Sequence, residues 1–169
     1  MQIRLFVIAF GALAAAAFAA EAPVKVNLQD AKGQSVGTAT ITDSKTGVAI
    51  RLDLKGLPPG VHALHIHSVA KCEAPGFTSA GPHFNPEHKQ HGLDNPQGPH
   101  AGDMPNFTVK ANGTAKVTIQ DPRVTLGSGA NSVFTNGGTA LMIHAKADDL
   151  KSDPAGNAGD RIACGTITK

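Results

Sequence analysis

The chain has 169 residues, 41% of them apolar and 17% charged, with a formal net charge of +2. That composition supports one core-bearing domain and excludes a disordered tail. A near-neutral balance with no Trp, no Tyr and only seven Phe also excludes a nucleic-acid binder built on a basic face or on stacking platforms.

Residues 1–19 read as a secretory signal peptide. Arg4 precedes an apolar and glycine run from Leu5 to Ala19, and Ala17-Phe18-Ala19 is a small-x-small site, so cleavage falls after Ala19 or Ala20. The run is shorter than the ~20 apolar residues of a membrane span, so no stable membrane insertion is expected. The chain reads as exported, to the periplasm or the extracellular space, with residues 20–169 as the mature domain.

Period-two alternation of apolar and polar residues then predicts strands. In chain order they are Val24–Gln29, Thr38–Thr42, Val48–Leu54, Val61–His67, Phe107–Ala111, Thr114–Gln120, Thr139–Ala145 and Arg161–Ile167. Asn112-Gly113 between two of them is a hairpin turn signal. With 19 Gly, 11 Pro and no helical pattern, the class is all-β: an eight-stranded antiparallel barrel or sandwich. Two connections, Ser68–Asn106 and Lys146–Asp160, are too long for hairpins and read as functional loops. A third, Asp121–Gly138, holds no cluster of ligand-type residues and reads as a crossover between sheets. The two cysteines, Cys72 and Cys164, form an even set in an exported chain. They read as one disulfide, with two unpaired buried thiols as the alternative.

Seven of the eight histidines lie between His62 and His100. In a strand, His65 and His67 project from one face while Leu64 and Ile66 take the other; alone, such a pair is a weak metal signal. The first long loop adds His83, His91, His100 and Asp103, three imidazoles and a carboxylate of a kind that suits tetrahedral zinc. His144 faces opposite Leu141 and Ile143, and joins His65 and His67 if its strand lies beside theirs. A set of imidazoles in tetragonal arrangement suits Cu(II). His62 has the parity of Leu64 and Ile66 and reads as a structural histidine. His88 reads as an exposed loop residue.

These motifs together resemble the copper-zinc superoxide dismutase family, in its exported bacterial type. The residues that carry the resemblance are His62-Ala-Leu-His-Ile-His67, Thr78-Ser-Ala-Gly-Pro-His-Phe-Asn-Pro86, His91-Gly92 and His100-Ala-Gly-Asp103. They continue with His144-Ala-Lys-Ala-Asp-Asp149 and Gly156-Asn-Ala-Gly-Asp-Arg-Ile-Ala-Cys-Gly165.

The resemblance implies an immunoglobulin-like Greek-key barrel with the metals outside it, under the two long loops. It implies one copper per chain on His65, His67, His83 and His144, and one zinc on His83, His91, His100 and Asp103, with His83 bridging. The implied reaction is dismutation of superoxide to dioxygen and hydrogen peroxide, for antioxidant defence in the cell envelope, with His83 also taking part in proton transfer. It further implies Arg161 as the anion-guiding residue, Asp148 as the carboxylate linking a copper histidine to a zinc histidine, and the Cys72–Cys164 disulfide. A monomer or a homodimer is expected. A non-enzymatic dismutase-like copper or zinc carrier is the alternative, and a zinc-only domain is another. The family's rim lysine and threonine align with Pro154 and Ala155, and the Lys146–Arg161 stretch carries three cations against four carboxylates. Long-range steering of the anion by this loop is therefore expected to be weak.

Overall fold

The computed structural model describes residues 21–169; the expected signal peptide lies outside them. Nine strands and two short 3₁₀ turns follow in order: β1 (Val24–Asp30), β2 (Ser35–Asp43), β3 (Val48–Leu54), β4 (Gly60–His62), β5 (Leu64–His67), β6 (Phe107–Val109), β7 (Ala115–Asp121), β8 (Thr139–His144) and β9 (Arg161–Ile167). All pairings between these strands are antiparallel. A seven-stranded curled sheet runs β5-β8-β9-β1-β2-β3-β7, and β4 pairs with β6. The all-β expectation holds.

The predicted Val61–His67 strand divides at Ala63. Gly60–His62 pairs with β6, whereas Leu64–His67 pairs with β8. Ala63 sits at the change of partner, its amide donating to the Lys146 carbonyl at 2.9 Å and its carbonyl accepting from the His144 amide at 3.1 Å. His62 holds this corner. Its ring nitrogens lie 2.7 Å from the His144 carbonyl and 2.8 Å from the Pro58 carbonyl, and the residue is buried.

Alternation sets the core. On β3, Val48, Ile50, Leu52 and Leu54 are buried while Arg51 and Asp53 are exposed. They meet Val26, Leu28, Ile41, Leu64, Ile66, Leu141 and Ile143 in one apolar cluster. β5 and β8 depart from this pattern because every residue in both is buried. Their inner faces fill the core, and the loops cover their outer faces. On that outer side Ala140, Met142 and Cys164 pack with Phe77 and Ala80 of the first loop. The Cys72–Cys164 disulfide ties that loop to β9 across 92 residues, a closure worth about 4–5 kcal/mol in the chain-entropy picture.

The first loop is laid along the free edge of β5. Ile66 N donates to the Gly102 carbonyl at 2.9 Å, Phe84 N to the Ile66 carbonyl at 2.8 Å, and Ser68 N to the Pro82 carbonyl at 2.9 Å. Gly102 is required for this approach: a Cβ there would stand 2.3 Å from the Ile66 carbonyl oxygen. The loop's histidines are thereby brought over the histidines of β5.

Candidate metal centre

His65 and His67 project from β5, and β8 lies beside it, with His65 opposite Met142 and His67 opposite Ala140. His144, at the end of β8, therefore comes up on the same side. The ring centroids of His65 and His144 are 4.8 Å apart, and those of His67 and His83 are 4.9 Å apart. His65, His67, His83 and His144 each offer one ligand atom to a group whose atoms lie within 4.8 Å of one another.

The hydrogen bonds set which nitrogen each ring presents. A carbonyl can only accept, so His67 Nδ1–H donates to the Gly81 carbonyl (2.8 Å) and His144 Nδ1–H to the Gly159 carbonyl (3.2 Å). His65 Nε2 lies 2.7 Å from Asp148 Oδ2, and His83 Nδ1 lies 2.9 Å from Asp103 Oδ1. The remaining nitrogens, His65 Nδ1 and Nε2 of His67, His83 and His144, are buried without a partner. Leaving one such atom unsatisfied costs about 1–3 kcal/mol. Four converging orphan lone pairs on imidazole fit a copper ion. Burial, the largest influence on each ring, keeps them neutral: it lowers His65, lowers His67 to about 2, and lowers His83 and His144 to about 4. Neutral imidazole is the ligand form.

The second cluster is organised by Asp103, which is fully buried. Its Oδ1 lies 2.9 Å from His83 Nδ1, 2.9 Å from His91 Nδ1 and 3.4 Å from His100 Nδ1, and His83 and His100 Nδ1 are 3.4 Å apart. Ligand atoms held tetrahedrally about 2.0–2.1 Å from zinc stand about 3.3 Å apart, so this set of three nitrogens and one oxygen fits zinc. His65 also falls within 4.8 Å of His83, His91 and Asp103. Its Nε2 is engaged by Asp148, however, whereas His100 turns Nδ1 directly on Asp103. Burial opposes ionisation of Asp103, but hydrogen bonds from His100, His83, His91 and the Gly92 amide outweigh it and hold the carboxyl far below its usual range. Burial also works against a charge on His91, yet Asp103 and Asp148 raise it to about 9.

Asp148 joins the halves. Its carboxylate lies 2.7 Å from His65 Nε2 and 3.0 Å from His91 Nε2. Sequence reasoning missed what holds it. Asn106 donates from Nδ2 to the Asp148 carbonyl and accepts from the Asp148 amide at Oδ1, both at 2.8 Å. Gly156, at φ +62, passes so close that a Cβ would stand 1.8 Å from Asp148 Oδ1. Asp153 was also missed, and its Oδ1 accepts from the His91 amide at 2.6 Å.

Arg161 opens β9, and its donors go to carbonyls rather than to Asp153 or Asp160: Nη1 to Phe77 at 2.7 Å and Nη2 to Gly81 at 2.9 Å. The Gly81 carbonyl also accepts from His67 Nδ1, so Arg161 and His67 share one acceptor and a fixed cation stands beside the histidine cluster. His88 is exposed, as expected, at φ +54. A cavity of about 560 Å³ opens over His83 and His100, with Lys89, Asp153 and Pro154 in its wall. The lysine there is paired with Glu87 at 2.6 Å.

An all-β barrel with a histidine-rich double cluster on its outer face defines a two-metal protein whose residues suit copper and zinc. Residues 35–167 match the family described as copper/zinc superoxide dismutase (SODC). The chain is 50% identical over 157 residues to "Superoxide dismutase [Cu-Zn] 2" of Aquifex aeolicus, covering 92% of each, and 41% identical over 138 residues to "Superoxide dismutase [Cu-Zn]" of Caulobacter vibrioides, covering 80% of this chain and 79% of that one. Among solved structures it resembles a SOD-like protein from Bacillus subtilis with a TM-score of 0.83 at 37% identity, covering 88% of this chain and 99% of that one. The chain belongs to the copper/zinc superoxide dismutase family, and its cofactors are copper and zinc.

Proposed function

We propose that the protein dismutes superoxide, with copper held by His65, His67, His83 and His144 and zinc by His83, His91, His100 and Asp103. The observation that carries this reading is the convergence of four buried, partnerless imidazole nitrogens beside a second cluster that shares His83. Copper there would supply a one-electron acceptor and donor, while zinc has no redox step of its own. One superoxide gives up an electron and leaves as dioxygen; a second takes that electron and two protons and leaves as hydrogen peroxide.

The chain's own groups do the rest. Arg161 offers a permanent charge and forked donors to a small anion, and its anchoring on Phe77 and Gly81 fixes where that charge sits. His83 Nε2 can take up a proton and release it beside the reacting oxygen while Nδ1 stays on the zinc side. Asp148 fixes the rings of His65 and His91 from behind. The signal peptide expected from the sequence and the Cys72–Cys164 disulfide support work in the cell envelope, in the periplasm or outside the cell.

Superoxide consumption by copper- and zinc-loaded protein tests the activity. Loaded protein should consume superoxide and metal-free protein should not. A loaded protein that retains both metals yet consumes none would reduce this chain to a metal carrier.

A further inference from the structure

The Asp121–Gly138 connection carries no ligand-type cluster, yet it packs against the zinc half. β7 ends at Asp121, whose side chain is fully buried. Its Oδ1 accepts from Arg123 N at 3.0 Å and from Arg123 Nη2 at 2.9 Å, and its Oδ2 has no partner. The same Nη2 donates to the backbone carbonyl of Asp103. Asn131 steadies the arrangement, donating from Nδ2 to the Arg123 carbonyl at 2.9 Å and to Glu87 Oε1 at 3.2 Å. The connection is thus joined to the first loop at two places, Arg123 on Asp103 and Asn131 on Glu87.

The first joint falls on the residue with the most to hold. Besides the imidazole nitrogens at Oδ1, Asp103 Oδ2 accepts from the backbone amides of Gly92 and His100, both at 2.9 Å. A carboxylate can serve both sets only if its backbone is fixed. A charge-assisted bond from a guanidinium to its carbonyl is a strong way to do that. Asp121, itself buried, pairs with the half-buried guanidinium and keeps the fork aimed.

We propose that Arg123, oriented by Asp121, is a positioning residue of the zinc half: by gripping the Asp103 carbonyl it sets the carboxylate geometry, and with it zinc affinity, while touching no metal. The proposal rests on the assignment of Asp103 as a zinc ligand.

Zinc affinity by chelator competition and the visible absorption spectrum of cobalt(II) placed in the zinc position give two readouts independent of activity. The variants are Arg123→Gln, Arg123→Lys and the paired Asp121→Asn/Arg123→Gln, which leaves no carboxylate buried alone. Partners of this kind are worth about 10- to 100-fold in metal affinity. That loss, with an altered cobalt spectrum, is expected in Arg123→Gln and in the paired variant, with partial recovery in Arg123→Lys and copper retained throughout. A folded paired variant with native zinc affinity and a native cobalt spectrum would overturn the proposal, even if its melting temperature fell. Asp103→Ala is the control. Zinc loss there with native zinc binding in the Arg123 variants removes only the positioning role; native zinc binding in Asp103→Ala removes the ligand assignment and the proposal with it.

Discussion

The two halves of the centre are built from different material. The proposed copper side takes three of its four histidines from β5 and β8, strands buried on both faces whose inner side chains are locked in the core. The proposed zinc side takes all of its residues from the first loop, whose Phe77, Ala80, Phe84 and Met104 pack against the barrel but whose ligand-type side chains stand on no strand. It is held by hydrogen bonds that converge on Asp103 and by links to other loops through Asp148, Asp153 and Arg123. The copper half is therefore preorganised by the barrel, whereas the zinc half depends on buried charge and on the metal itself. His83 belongs to both, so it is where the difference can be broken most severely.

His83→Ala should have the largest effect. It removes a nitrogen from each half and the proposed proton-transfer group between them, so a loss of at least about 100-fold in superoxide consumption is expected, together with weakened zinc binding. Full activity with normal zinc content would show that the halves are not joined through this ring.

Gly156→Ala strikes the joint from the second loop. The added Cβ cannot coexist with Asp148 in its present place, and Asp148 has to swing away from His65 and His91. A fall of about 10- to 100-fold in metal affinity is expected, larger for zinc because the strand-borne histidines keep their places. Titration of both metals into the variant measures it, and equal losses for the two would contradict the contrast.

Arg161→Ala should leave both metals bound and lower activity about tenfold, with Arg161→Glu lower still as the local field reverses. The Asp153 and Pro154 wall and the Glu87-paired Lys89 offer no strong distant attraction, so added salt should slow the native protein only slightly. Stopped-flow decay of superoxide at several salt concentrations checks both points. Variants with full activity and normal metals would make Arg161 a strand anchor only.

The fourth effect concerns the buried charge behind the zinc half and is read in folding stability rather than in activity or metal binding. Burial raises the Asp121 carboxyl to about 6, which Arg123 only partly offsets, from an ordinary 3.8. The folded pKa lies above the unfolded one, so folded protein binds the extra proton between about pH 4 and 6. The contribution of Asp121 to stability is thus fullest at the acid end of that window and is lost as pH rises through it, by on the order of 3 kcal/mol. Denaturant unfolding of metal-free protein should show the native chain losing ground to Asp121→Asn as pH rises. Parallel pH profiles would contradict this.

The strands were legible because a period of two is written in side chains, and the same parity put His65 and His67 on one face and His62 on the other. The break at Ala63 was not legible, since His62, Leu64 and Ile66 keep their alternation while the backbone changes partner. The two clusters could be drawn from motif spacing. Their supports could not, because most are backbone carbonyls, and every residue has one: Gly81 for His67 and Arg161, Gly159 for His144, Phe77 for Arg161, Asp103 for Arg123. For the same reason the sequence does not show which carbonyls anchor Arg161, and a connection read as a plain crossover reaches the zinc half.

Two different metals should sit on two differently built halves that share one ring. Anomalous diffraction from crystals of the copper- and zinc-loaded protein, recorded on either side of each metal's absorption edge, tests this most directly. One copper peak should lie among His65 Nδ1 and the Nε2 atoms of His67, His83 and His144, with one zinc peak among Asp103 and the Nδ1 atoms of His83, His91 and His100. A single metal position, or a zinc peak ligated by His65 in place of His100, would contradict it.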